Sequence, residues 1–150
     1  MSISRFWHKC RGLSWRRRSL LLEAAFWLAV ARLAVVFVCF PRIARHIGRL
    51  HPPADLQSDS SQDGADAREI SWAIDRSARL LPVRFVCLPQ ALAAWQMLHL
   101  RGIWSRVHFG ASRDPQQAPL TTHAWVDACG VEVTGYPEAH HCVEIGFFAQ

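Results

Sequence analysis

The most apolar stretch of the chain, residues 19–40, reads S-L-L-L-E-A-A-F-W-L-A-V-A-R-L-A-V-V-F-V-C-F and is followed by Pro41. It predicts one long helix stopped by that proline, which has no N–H to give to a helical ladder. Glu23 and Arg32 are its only charges, and their offset of nine positions puts them on opposite faces, so no polar stripe forms. A run of this length nearly spans a bilayer, which takes about 20 apolar residues. The helix therefore reads either as one buried in a protein groove or as one in or on a membrane. Arg16, Arg17 and Arg18 before it and Arg42, Arg45 and Arg49 after it read as lipid anchors or as a solvated, partner-facing end.

Residues 51–67 (H-P-P-A-D-L-Q-S-D-S-S-Q-D-G-A-D-A) are nearly free of apolar side chains and rich in turn formers, which predicts a linker or loop. Residues 68–81 then place Ile70, Ala73, Ile74, Ser77, Ala78 and Leu81 at helical spacing, an amphipathic helix ending before Pro82. Residues 82–86 read as a short extended lead-in. A third helix follows over 88–101, with Pro89 in its first turn and Gly102 as its C-terminal cap. Beyond Ser105 the hydrophobic period drops to two. Residues 106–111, 121–128 and 131–134 are predicted strands, the last two joined by a turn at Cys129-Gly130. Helices followed by an antiparallel sheet make an α+β chain, and no internal repeat is visible. The organisation expected is a basic N-terminal region with its apolar helix (1–50), a polar linker (51–67) and a catalytic core (68–150).

Charge sharpens that division. Residues 1–50 hold ten of the seventeen arginines and lysines against Glu23 alone, a net of +9, while residues 51–150 hold seven against eleven acids, a net of −4. A basic end attracts anionic lipid, nucleic acid or an acidic peptide. Its arginines are interleaved with Leu, Ala, Val and Phe, and no nucleic-acid-binding motif is present, so no nucleic-acid partner is expected. At 150 residues one core is the default. Five cysteines, an odd number without framework spacing, and an apolar run with no small-x-small cleavage site after it point to a reducing cytosol. Cys10 reads as a surface thiol and Cys39 as a helix-core residue. Cys129, His140, His141 and Cys142 lack the paired spacing of a zinc site, so no metal or other cofactor is expected.

Two residues carry candidate chemistry. Cys87 falls at the start of the 88–101 helix, and His123 opens a strand thirty-six residues later in T-T-H-A-W-V-D-A. Unpaired N–H groups and the macrodipole at a helix start favour negative charge, so a cysteine there is suited to act as a thiolate nucleophile, and the same N–H groups can hold an oxyanion. A histidine base needs a third group to orient it. A hairpin turning at Cys129-Gly130 sets Ala128 against Val131, Asp127 against Glu132, Trp125 against Thr134 and His123 against Tyr136. Asp127 lies about 13 Å along the strand from His123, and Glu132 is level with it. Thr134 sits diagonally across, so Thr134 is the candidate orienter, with Glu132 reaching the site only in a different register and a backbone carbonyl or water as substitutes. Trp125 reads as packing beneath His123 or as lining a substrate groove, packing being the simpler use, and Trp95, Met97 and Leu98 read as core contacts.

The segments L-L-L-E-A-A-F-W-L-A-V-A-R-L, L-P-V-R-F-V-C-L-P-Q-A-L-A-A-W-Q-M-L-H-L-R-G-I and T-H-A-W-V-D-A-C-G-V-E-V-T-G together resemble the stand-alone leader peptidases of lasso-peptide biosynthesis, relatives of the C-terminal domain of the microcin J processing protein. The resemblance covers nearly the whole chain. It implies a transglutaminase-like, papain-like cysteine protease fold, with Cys87 as nucleophile and His123 as general base, that cuts the leader from a ribosomally made precursor. It also implies partners: the precursor peptide, a leader-recognition protein and an ATP-using lasso cyclase. The family's third residue is usually an aspartate after the glycine turn, where this chain reads V-E-V-T-G-Y-P and Thr134 or Gly135 falls. Two other functions use the same features: a transglutaminase-like or arylamine N-acetyltransferase-like acyl transferase, and a non-catalytic peptide-binding or membrane-associated scaffold. The expected place is the cytoplasm, peripheral to the inner membrane if the first helix meets lipid.

Overall fold

Ser14 turns its hydroxyl oxygen to the Arg17 N–H at 3.4 Å, and from this cap the first helix, α1 (Trp15–Phe37), runs through most of the apolar stretch. The computed structural model describes residues 13–53, 64–81, 83, 85–112 and 121–149. Pro41 does not stop α1. The chain breaks earlier, at the extended residues Val38 and Cys39, and Pro41 sits in the first turn of a second helix, α2 (Phe40–Ile47), where its missing N–H is harmless. Cys39 is the exposed cap of α2 rather than a core residue.

A three-residue strand, β1 (Arg49–His51), follows. The 51–67 stretch is thus structured at both ends, because His51 belongs to β1 and residues 65–67 open helix α3 (Ala65–Leu80); its middle, 54–63, lies outside the described residues, as do Cys10 and, in the 82–86 lead-in, positions 82 and 84. Helix α4 (Cys87–His99) is followed by Gly102 at φ +66°, the left-handed conformation that suits glycine after a helix. Strands β2 (Arg106–Ser112), β3 (Thr122–Ala128) and β4 (Val131–Thr134), a 3-10 turn (Glu138–His141) and β5 (Cys142–Ala149) complete the chain.

The five strands form one antiparallel sheet in the order β1-β5-β2-β3-β4. Alternation sorts their side chains onto two faces. Val107, Ala124, Val126, Ala128 and Phe148 join the hydrophobic core with α1, α3 and α4. Leu21, Leu28, Ile74 and Leu98 are fully buried between the helices, each contributing about 2 kcal/mol by leaving water. Trp95 and Met97 are core residues, as their spacing predicts. The opposite face carries Arg106, His108, His123, Trp125, Asp127 and Phe147.

α1 is tied to the rest at several points. Ser77 of α3, fully buried, donates its hydroxyl to the Leu21 carbonyl at 3.1 Å. Arg17 makes a two-pronged bond to Glu69, and Arg101 grips Glu23 at 2.6 and 2.8 Å.

Candidate functional site

Cys87 is the first residue of α4, with extended Val86 as its cap, so its thiol stands where the helix leaves its first N–H groups unpaired. The turn leading into it is braced by Gln90, whose side-chain amide donates to the Phe85 carbonyl at 2.7 Å. Cys87 is half-buried and packs against the edge of the core.

His123 stands on β3 opposite Gly110 of the neighbouring β2. Glycine at 110 is required by crowding: a β-carbon there would meet the Trp125 ring at 2.8 Å and the Val143 carbonyl at 2.6 Å. Trp125 fills that space and stacks beneath His123, ring centres 6.0 Å apart and planes at 19°. This is the packing role the sequence suggests for Trp125.

The orienting partner is the backbone carbonyl of Gly135, which accepts from His123 Nε2 at 2.7 Å. A carbonyl only accepts, so Nε2 carries a proton and, in the neutral ring, Nδ1 keeps its lone pair. That is the tautomer a general base needs, fixed by one bond. Gly135 sits at φ +90°, and a β-carbon on it would fall 2.5 Å from Trp125 Cβ and 2.8 Å from the Ala124 carbonyl. Only glycine brings its carbonyl this close to the β3 backbone.

Thr134 and Glu132 do not hold His123. The hairpin pairs Ala128 with Val131 and Asp127 with Glu132 as predicted, but a bulge then shifts the register so that Thr134 lies opposite Val126 instead of Trp125. Thr134 thereby shares its position with a core-facing residue, is buried, and is on the other side of the sheet from His123. Glu132 is exposed and reaches His140 at 3.3 Å. Asp127 is spoken for by Arg106 and His108.

Sequence reasoning passed over His108. It is buried on β2 and also stacked with Trp125, ring centres 5.3 Å apart and planes at 3°, so the indole is shared by two imidazoles. Both of its nitrogens meet carboxylates, Nδ1 at 2.6 Å from Glu144 and Nε2 at 3.0 Å from Asp127. Arg106 completes the row with a two-pronged bond to Asp127. Burial opposes ionisation of Asp127, but the hydrogen bonds from His108 and Arg106 outweigh it and hold the carboxyl below its ordinary range. Burial, with Asp127 and Glu132 nearby, pushes the Tyr136 phenol far up, so it stays protonated. The signal was present in R-V-H-F-G, where alternation puts Arg106, His108 and Gly110 on one face.

His123 lies near the end of the sheet where β5 begins. Cys142, at the start of β5, lies opposite Ser112, whose N–H donates to Thr121 two residues before His123. Burial raises the Cys142 thiol above its ordinary value, and the nearby charge of Cys87 raises it further. Among the described residues, no three His, Cys, Asp or Glu side chains gather as a metal would require. A thiol at a helix start, a histidine with one ring nitrogen fixed by a carbonyl, and the first N–H groups of a helix are the kinds of group that thiol-dependent acyl transfer uses.

No curated protein and no solved structure matches the chain. A family model described as "Transglutaminase-like superfamily" matches residues 27–144, from the middle of α1 into β5. That superfamily includes cysteine peptidases and acyl transferases, and its members are commonly cysteine-dependent enzymes. With most of its length matched and its helices laid on an antiparallel sheet, this chain belongs to the transglutaminase-like superfamily.

Proposed function

We propose that the protein is a cysteine peptidase that cuts the leader from a ribosomally made lasso-peptide precursor. The observation that carries this reading is the bond from His123 Nε2 to the Gly135 carbonyl, which fixes the ring and leaves Nδ1 without a partner among the described residues; the thiol it would serve is that of Cys87 at the start of α4. The resemblance of the Cys87 and His123 segments to leader peptidases narrows the substrate from any acyl donor to a leader peptide.

In the proposed reaction His123 Nδ1 takes the thiol proton, and Cys87 Sγ attacks the scissile carbonyl carbon. Helix N–H groups at the α4 start hold the oxyanion. The C–N bond breaks as His123 returns the proton to the departing amine, leaving the leader as a thioester on Cys87. Water, deprotonated by His123, then hydrolyses the thioester and frees the leader carboxylate and the thiol. The partners in this reading are the precursor, a leader-recognition protein that delivers it, and a cyclase that takes the freed amine.

Incubating the purified chain with precursor and recognition protein, with products weighed by mass spectrometry, tests this. Leader and core should appear as two hydrolysed halves, and Cys87→Ala should abolish them. Cleavage by Cys87→Ala at the parent rate would sink the mechanism, and an amine adduct in place of a free leader carboxylate would make the enzyme an acyl transferase.

A further inference from the structure

One face of α1 is left uncovered by the described residues. Its buried residues, Leu20, Leu21, Ala24, Leu28 and Ala31, lie on α3 and α4. Directly opposite, at about 3.6 residues per turn, Leu22, Phe26, Val30, Leu33, Val36 and Phe37 share one arc about 120° wide and about 22 Å long. All six are exposed, Phe26 by 58%, Leu33 by 56% and Phe37 by 78%. No polar side chain interrupts them. Trp15, 83% exposed, continues the same arc at the helix start.

The surrounding charge is of one sign. Glu23, the only acid among the first fifty residues, is held by Arg101. Arg32, Arg42, Arg45 and Arg49 have no carboxylate partner among the described residues. Beside the apolar arc, α1, α2 and α4 enclose an apolar cleft of about 250 Å³ that Val30 and Val38 line and in which Arg42 takes part.

We propose that this face lies on an anionic lipid bilayer, with α1 parallel to the membrane plane. The arc is the apolar half of an interfacial helix, its arginines sit at headgroup level, and the cleft takes the end of an acyl chain. The helix is long and apolar enough to cross a membrane, but it does not stand upright. Ser77, Glu69 and Arg101 fasten it lengthwise to the rest of the fold, so spanning would tear open the core. Lipid moulds around a single convex helix ridge, whereas two copies back to back would bring arginines without carboxylate partners together, with no acid among the described residues of this face to receive them. The inference does not rest on the leader-peptidase reading.

Sedimentation of the full chain with vesicles tests it. With phosphatidylglycerol in phosphatidylcholine vesicles the protein should pellet, and high salt should weaken binding by about tenfold or more. Phosphatidylcholine alone should bind it far less. Phe26→Glu/Leu33→Glu should lose binding to the anionic vesicles by at least about tenfold while keeping the parent's circular dichroism. If the double variant does not fold, Leu33→Gln replaces it, with a smaller loss in the same direction. Arg42→Gln/Arg45→Gln should weaken binding to anionic vesicles and flatten its salt dependence. The proposal fails if the parent stays in the supernatant with anionic vesicles or the folded variants pellet as it does. It fails equally if these substitutions instead dissolve a dimer, or a complex with the recognition protein, while leaving vesicle binding unchanged.

Discussion

Two histidines share the same indole and face opposite fates. His108 stacks with Trp125 and has both ring nitrogens fixed by carboxylates; His123 stacks with it too, with one nitrogen fixed by a carbonyl and the other without a partner among the described residues. A ring bonded at both ends has no nitrogen to offer a substrate, so His108 can only hold structure. A ring bonded at one end is oriented yet free to move a proton. On the proposed function, neighbouring strands with the same residue type and the same aromatic partner divide into support and chemistry according to how many bonds each ring makes.

The sharpest way to break this comparison is to remove each ring in turn. His123→Ala should lower cleavage by about a hundredfold to ten-thousandfold, the range for a lost general base, with urea unfolding changed by no more than about 1 kcal/mol. His108→Ala should do the reverse in kind. It leaves the Asp127 and Glu144 carboxylates without their shared partner in a largely buried site, a loss of about 3 kcal/mol in unfolding free energy. If His108→Ala unfolds like the parent, the bonding pattern is not what holds this face together.

Gly135 is where support and chemistry meet. Gly135→Ala must place a β-carbon against Trp125 and the Ala124 carbonyl at a φ of +90°, so it should cost more than about 1 kcal/mol of stability. The displaced carbonyl should also release His123, and cleavage by the folded fraction should fall with it. Unchanged cleavage per folded molecule would mean that His123 is oriented by something else.

Much of this frame was legible in the chain. The amphipathic pattern over 68–81 matches α3, the 88–101 pattern matches α4, and the period-two runs match β2, β3 and β4 to within a residue or two. Cys87 and His123 stood out because a nucleophile at a helix start and a histidine on a strand carry chemistry in the residue type itself. Other features left no such mark. The bulge that turns Thr134 away lies in V-E-V-T, whose alternation looks regular, and a carbonyl acceptor such as Gly135 has no side-chain signature. β1 is an edge strand of three residues, too short for a period to show. α2 was hidden because a proline reads equally as the end of one helix or the first turn of the next.

Acid titration sharpens the supporting half of the comparison. Because Asp127 is held below the ordinary carboxylate range in the folded protein, it contributes stability at neutral pH. That contribution is full above the unfolded value and is lost as the pH falls through about 4 and on toward the folded value. The urea midpoint of the parent should therefore drop on acidification more steeply than that of Asp127→Asn, which starts lower and has less to lose. Parallel curves would show that the His108 and Arg106 bonds do not bias Asp127 toward its charged form.

The smallest effect tests the catalytic half. The register places Thr134 opposite Val126 on the core side, and Glu132 spends its carboxylate on exposed His140. Neither touches His123, so Thr134→Val and Glu132→Gln should each leave cleavage within about twofold of the parent and stability within about 1 kcal/mol. Thr134→Val keeps the shape of the side chain while deleting its hydroxyl, so a large loss of rate without loss of stability would return Thr134 to the orienting role. The expected silence of both substitutions, set beside the damage expected at Gly135, separates a side-chain orienter from a backbone one.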